Sequence, residues 1–231
     1  FDQYLGIRTE GIVAMARQLN VKATVLECMA LQPILHWVSE RMLVRATHGV
    51  ITNARADHLD VMGPDSANVA RALAVMIPIR GVLYTAEEKH LDIIRECAED
   101  RGTRLVAVGA DEVAAISEDD MAGFSYLEHP ANVALVLRLL EDLGIDRKTA
   151  LTGMWTANPD PGALTEYTLD FFGRTLVFVN GFAANDPESS EQVWNRTVAR
   201  HPDIDRVVAV FNLRGDRPGR TIQLARDVDF W

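Results

Sequence analysis

The chain has 231 residues, of which 48% are hydrophobic and 24% charged, and its formal net charge is −10. That size suits one large α/β domain or one domain with part of a second, and the composition excludes a disordered chain. An acidic surface disfavours sequence-independent binding to nucleic acid or anionic lipid, which needs clustered Lys and Arg, yet leaves room for anionic substrates in a local positive pocket.

Short β-branched runs alternate with amphipathic helical stretches, which predicts an α/β fold with a largely parallel sheet. The spacing of Ile12, Met15, Ala16 and Leu19 predicts a helix over 7–19, and Ala23 to Leu26 reads as a buried strand ending at Glu27. A helix over 34–46 follows, then a strand over 49–52 and a polar loop from Asn53 to Pro64. Next come a helix over 66–76, a strand over 81–85, a helix over 86–100 and a strand over 104–108. After a mixed stretch, helices are expected over 130–143 and 147–155, with Gly144 as C-cap and Asp146 as N-cap. Two prolines and a glycine in Asn158-Pro-Asp-Pro-Gly162 cannot continue a helix and mark a linker. The expected domains are therefore 1–157 and 158–231. The second would open with a strand over 176–179, a helix over 188–200, a strand over 206–211 and a helix from about Thr221.

Cys28 and Cys97 lack a C-x-x-C spacing and read as buried, reduced thiols. No apolar run reaches the roughly 20 residues of a membrane span, and no secretory signal opens the chain. Phe1 and Trp231 are both expected to be cut ends of a longer protein.

Ligands of open α/β sheets bind at the carboxyl ends of strands, so polar residues there are the first candidates. Glu27 ends an apolar run, where a carboxylate is costly to bury unless it is paired or metal-bound; a partly exposed carboxylate before a helix is the alternative. Asn53, Asp57, His58 and Asp60 lie within eight residues after a predicted strand. Imidazole and carboxylate there could hold a divalent cation, or the segment could be an Asx-turn loop in which Asp57 caps a short helix. The other histidines, His36, His48, His90, His129 and His201, read as surface or structural groups. In the second region, Asn180, Asn185 and Asp186 occupy a small-residue turn before a helix opening with Pro187, Glu188 and Ser189. That end could offer backbone N–H groups to an anion or ribose, or could be a well-capped helix. Arg214, Arg217 and Arg220 crowd one turn, which suits either a phosphate or carboxylate partner or plain solvation.

Taken in order, Glu27-Cys-Met-Ala, Ile51-Thr-Asn53, Asp57-His58-Leu-Asp60-Val-Met-Gly63-Pro64, Asn158-Pro-Asp-Pro-Gly-Ala163, Val179-Asn-Gly-Phe-Ala-Ala-Asn185-Asp186 and Asp216-Arg217 closely resemble one family. It is that of the poly-γ-glutamate synthases, the capsule ligases of the PgsB/CapB type, in the Mur ligase superfamily. The Asp-His-x-Asp loop is shared across that superfamily; the Asp-Val-Met-Gly-Pro and Asn-Gly-Phe-Ala-Ala-Asn-Asp runs are narrower. The likeness spans almost the whole chain.

The resemblance implies a Mur-ligase-like central ATPase domain and the start of a Rossmann-like C-terminal domain. The implied activity is ATP-dependent formation of γ-glutamyl amide bonds through an acyl phosphate. The implied cofactors are ATP and Mg²⁺, with Glu27 and His58 as metal ligands and Asn53 and Asp57 supporting their loop. Asn132 matches an asparagine near adenine; Asn180, Asn185 and Asp186 match positions meeting nucleotide or substrate; and Arg217 could neutralise a phosphate or carboxylate. Another superfamily glutamate ligase and a non-catalytic scaffold module are the alternatives. The family's Gly-rich phosphate loop with Gly-Lys-Ser/Thr is not in these residues, so this length alone is expected to be inactive. No lysine falls between Pro64 and Arg80, which argues against the carbamylated lysine of several superfamily members. The implied partners are glutamate, growing poly-γ-glutamate and membrane subunits, at the cytoplasmic face of a membrane, and the resemblance leaves room for a homo-oligomer.

Overall fold

The structure, a computed structural model, describes residues 11–159, 162–184, 186–213, 215 and 218–227. The chain forms two compact units, Phe1–Gly109 and Ala110–Trp231. The candidates Asn185 and Arg217 lie outside the described residues, as do Arg214, Asp216 and part of the predicted linker.

The first unit is built on three parallel strands, β1 (His48–Ile51), β2 (Val82–Thr85) and β3 (Arg104–Ala107), in the order β1-β2-β3. Residues 11–18 are helical. Helix α1 (Pro33–Val38) runs into a π turn, Ser39–Val44, that ends at Arg45 in the left-handed region. Parallel strands need long crossovers. Helices α2 (Leu59–Met62) and α3 (Ser66–Ala74) carry the chain from β1 to β2, and α4 (Leu91–Asp100) carries it from β2 to β3.

Ile51, Ala74, Ile77, Leu83, Ile94 and Ala98 pack into one core between strands and crossover helices. Burying each of its large aliphatic side chains is worth roughly 1.5–3 kcal/mol. Tyr84 and Thr85 are fully buried on β2, as expected for the middle strand. His36 is also buried, with Nδ1 2.9 Å from the Ala72 carbonyl and Nε2 2.7 Å from that of Ala30. It is a structural histidine that ties α1 to α3 and to the preceding segment.

Three expectations need correction. Ala23 to Leu26 forms no strand, and Val25 is 95% exposed. A β-branched run becomes a strand only when a neighbouring strand accepts its hydrogen bonds, and among the described residues none does. The helix expected from Ala86 begins at Leu91, because Glu87 and its neighbours are spent on side-chain-to-backbone bonds. The loop expected over 53–64 contains the short helix α2.

In the second unit, α5 (Ala110–Ala114), α6 (Glu118–Ala122), α7 (Pro130–Asp142) and α8 (Arg147–Thr156) come first. Ser117 and Asp120 form a capping box at α6, and Asp120 also receives Arg147 at 2.7 Å. Gly144 (φ +77°) ends α7 and Asp146 caps α8 through the Thr149 N–H, as the sequence predicts. A hairpin follows, β4 (Thr165–Phe171) antiparallel to β5 (Arg174–Asn180). Phe172 and Gly173 both have positive φ, which a two-residue hairpin turn of the mirror-image type requires. The first strand of this hairpin was not expected from the sequence.

Helices α9 (Pro187–Arg200) and α10 (Pro218–Asp227) complete the described residues. Residues 206–211, expected as a strand, form none among the described residues. Val208 and Val210 are exposed, and a cavity of about 820 Å³ lies among Phe178, Trp194, Val207 and Phe211. The sequence has strand character here, but neither sheet of the described residues includes it.

Two predictions test the first unit. A Cβ on Gly81 would meet the Thr47 carbonyl oxygen at 2.7 Å and Pro78 Cβ at 2.8 Å, and a backbone oxygen cannot swing aside. Gly81→Ala should therefore cost about 1–3 kcal/mol in denaturant unfolding; unchanged stability would contradict this packing. Glu40 is buried, and burial pushes its carboxyl up to about 7 against the opposing Ala46 N–H, Arg101 and Arg41. The folded chain then holds a proton that the unfolded chain releases near pH 4.5. The associated stability is present below that value and lost as pH rises through about 7. Glu40→Gln should flatten that decline in melting temperature between pH 5 and pH 8.

Candidate functional site

Past the carboxyl ends of β1 and β2 lie Asn53, Asp57, His58, Asp60, Glu87, Lys89 and His90. After β1 the chain passes Asn53 and buried Ala54 to Asp57 and His58. His58 adopts φ +51° and ψ +41°, a left-handed conformation uncommon for a residue with a Cβ. Backbone strain of this kind concentrates where a side chain must be aimed.

Asp57 is the local brace. Its Oδ1 accepts the His58 N–H at 2.9 Å, and its Oδ2 lies 3.5 Å from His58 Nε2. The His58 carbonyl accepts the N–H groups of Val61 and Met62, so α2 starts directly at this histidine. Asp57 thus clamps His58, whose own side chain makes no capping bond to α2. Asp60 is exposed on α2, and Asn53 is half-buried.

The sequence reading missed the residue beneath this loop. Glu87, just past β2, is buried. Its Oε2 accepts the Ala54 N–H at 2.6 Å and its Oε1 the His90 N–H at 2.8 Å. Thr85 adds a second tie by donating to the Ile51 carbonyl at 2.7 Å and accepting the Glu87 N–H at 3.1 Å. One buried carboxylate therefore joins the loop after β1 to the loop after β2. The only sequence signal was a glutamate two residues beyond a predicted strand end, the same kind of position as Glu27.

Glu27 itself is exposed in an extended segment. Among the described residues, no three or more His, Cys, Asp or Glu side chains form a group able to hold a metal ion, so Glu27 does not join Asp57 and His58 in such a group. One imidazole and one carboxylate still suit Mg²⁺ that arrives with phosphate, because Mg²⁺ keeps its waters and takes few protein ligands. Cys28 and Cys97 are free thiols, half-buried, and burial raises the pKa of both. A separate cavity of about 620 Å³ lies by Trp37, Arg41, Arg80 and Arg101, near the amino ends of β2 and β3 and away from His58.

In the second unit, Asn132 sits in the first turn of α7, where its Nδ2 donates to Glu128 Oε1 at 3.0 Å. Glu128 also accepts the His129 N–H and the Tyr126 hydroxyl. Burial, reinforced by Glu128, pushes the Tyr126 hydroxyl up to about 12, so it remains a donor. Asn180 ends β5, and its Oδ1 accepts the Phe182 N–H at 3.3 Å. Asp186 is buried as the N-cap of α9, accepting the Ser189 N–H at 2.9 Å and the Ser189 hydroxyl. Its carboxylate is thereby committed to capping.

Removing the Glu87 carboxylate would strand the Ala54 N–H in the interior. Each buried donor left without an acceptor costs about 1–3 kcal/mol. Glu87→Ala should therefore lower the unfolding free energy by about 3 kcal/mol, and Glu87→Gln, which keeps one acceptor oxygen, by less. Equal stability of Glu87→Ala and the unaltered protein in urea would remove Glu87 from this role.

Residues 166–231 match the family model described as the poly-gamma-glutamate synthase CapB C-terminal domain. The capsule biosynthesis protein CapB of Bacillus anthracis is 41% identical over 217 residues, which is 94% of this chain and 46% of that protein. The PGA synthase CapB of Bacillus subtilis strain 168 is 37% identical over 209 residues, 90% of this chain and 52% of that protein. The chain thus spans about half the length of these curated relatives. Among solved structures, Escherichia coli FolC in complex with DHPP and ADP superposes with a TM-score of 0.61 at 20% identity, over 80% of this chain and 46% of that one. Folylpolyglutamate synthase from Thermotoga maritima gives 0.54 at 16% identity, over 82% and 47%. These two share the fold. By fold the chain is Mur-ligase-like α/β, and by sequence it is similar to CapB proteins over 90% or more of its length.

Proposed function

We propose that the chain is part of an ATP-dependent ligase that extends poly-γ-glutamate by γ-glutamyl amide bonds. The observation carrying this reading is the Asp57–His58 pair, clamped in a costly backbone conformation at the carboxyl edge of a parallel sheet. Sequence similarity to two CapB proteins gives that pair its chemical context.

A carboxylate and an amine do not condense in water without activation. In this reading the side-chain carboxylate of a glutamyl unit is converted to an acyl phosphate at the expense of ATP. The amine of the next glutamate then attacks the acyl carbon, forming the amide and expelling phosphate. Mg²⁺ supplies neutralisation of phosphate charge when bound. His58 would be one protein ligand and Glu27, which the described residues do not group with it, a second only after its segment moves, with Asp57 orienting the imidazole and Asn53 supporting the loop. Asn132 would meet the adenine. Asn180, Asn185, Asp186 and Arg217 would face nucleotide or substrate from the C-terminal region. Asp186 and Asn132 reach those roles only by exchanging the contacts they make to Ser189 and Glu128.

The domain division at 1–157 and 158–231 belongs to the same proposal. The family model for the C-terminal domain begins at residue 166, shortly after the Pro-rich segment, which supports it. Glutamate, the growing polymer and membrane subunits of a synthase are the proposed partners, at the cytoplasmic face of a membrane. Among the described residues no helix is long and apolar enough to cross a membrane.

The test uses the complete protein. ATP turnover should require both Mg²⁺ and glutamate or its polymer, and His58→Ala should lower it by at least about 100-fold with the circular dichroism spectrum unchanged. Undiminished turnover in that variant would remove His58 from the metal site. The likeness in fold to folylpolyglutamate synthase favours one second reading, a folate-directed glutamate ligase. Turnover with a folate acceptor and none with poly-γ-glutamate would select it.

A further inference from the structure

A second group of functional side chains stands on the same edge of the first unit's sheet. His90 Nε2 lies 2.8 Å from Ser66 Oγ, and Lys89 Nζ donates to the same oxygen at 3.3 Å. Ser66 is the first residue of α3, while Lys89 and His90 close the loop between β2 and α4. Glu87 joins this group to the Asp57–His58 loop, since one carboxylate oxygen holds the His90 N–H and the other holds that of Ala54.

Among the described residues, neither Lys89 nor His90 forms an ion pair with a carboxylate. An ammonium has three donors, and the Ser66 hydroxyl uses one of them. Lys89 is exposed, and Ser66 and His90 are half-buried, so the remaining donors are open to a ligand. The first turn of α3 has its own cap, since Asp65 accepts the Asn68 N–H at 2.9 Å. The side chains, more than the helix end, therefore make this place attractive to an anion. Although Asp65, Glu87, Glu88 and Asp92 adjoin these residues in sequence, an ammonium, an imidazole and a hydroxyl converge on one point here.

We propose that Ser66, Lys89 and His90 form an anion-holding subsite for a carboxylate or phosphoryl group, aligned with the Asp57–His58 loop by Glu87. Both groups present oxygen acceptors to the same N–H and O–H donors. Which group binds there rests on the ligase reading: a glutamyl carboxylate would be substrate, and a phosphoryl group would belong to ATP or to the activated intermediate.

The complete protein is titrated calorimetrically with two separate probes, inorganic phosphate and oligo-γ-glutamate. Lys89→Met should weaken at least one of them tenfold or more, and Ser66→Ala severalfold, while Lys148→Met in the second unit changes neither. Loss of phosphate alone identifies a phosphoryl site, and loss of oligo-γ-glutamate alone a carboxylate site; either result supports the subsite. Equal binding of both probes by Lys89→Met and the unaltered protein overturns it, as does the absence of binding of either probe to the unaltered protein. Glutamate-dependent ATP turnover, measured in parallel, keeps the two readings apart. Lys89-dependent phosphate binding without turnover would leave the subsite standing and remove the ligase. Turnover with binding indifferent to Lys89 would do the reverse.

Discussion

A carboxylate taken out of water must give its lone pairs to donors, and Glu87 gives them to two backbone N–H groups on different loops. That arrangement governs the first unit's functional edge. The loop after β1 can present Asp57 and His58 only if Ala54 is fixed, and the loop after β2 can reach Ser66 only if His90 is fixed. Thr85 backs the same joint by bonding the Ile51 carbonyl and the Glu87 N–H. Middle-strand geometry makes this possible: β2 lies between β1 and β3, so residues just past its end sit next to the end of β1.

His58 shows how the brace becomes chemistry. Its left-handed backbone is costly for a residue with a Cβ, and Asp57 holds it from both sides, through the N–H and through the ring. An imidazole held in that way keeps one orientation. The chain is similar in sequence to CapB proteins and shares its fold with folylpolyglutamate synthase. Both likenesses cover about half the length of the proteins compared.

The second unit is organised by caps and short-range pairs. Asp120 collects Ser117, Arg147 and, through its carbonyl, the Trp155 indole, whose ring lies against Gly123. Asp186 and Asn132 are likewise engaged in local bonds that shape helix starts. These bonds explain why the positions hold polar residues even without a ligand, and they set what a ligand would have to displace.

Much of the architecture was legible in the amino-acid order. The three strands of the first sheet, the helices between them, Gly144 as a stop and Asp146 as a start follow from periodicity and cap chemistry, which act within a few residues. The Asp57–His58 loop was visible as a run of polar groups after a β-branched strand. What the order could not convey depends on distant partners. Ala23 to Leu26 and residues 206–211 have strand composition but join no sheet among the described residues, and the hairpin strand β4 forms because β5 is beside it. Glu87 and Ala54 are separated by 33 residues. No local pattern tells a glutamate in a loop that it will be buried against them; only the sheet, by bringing two strand ends together, made that carboxylate the joint of the site.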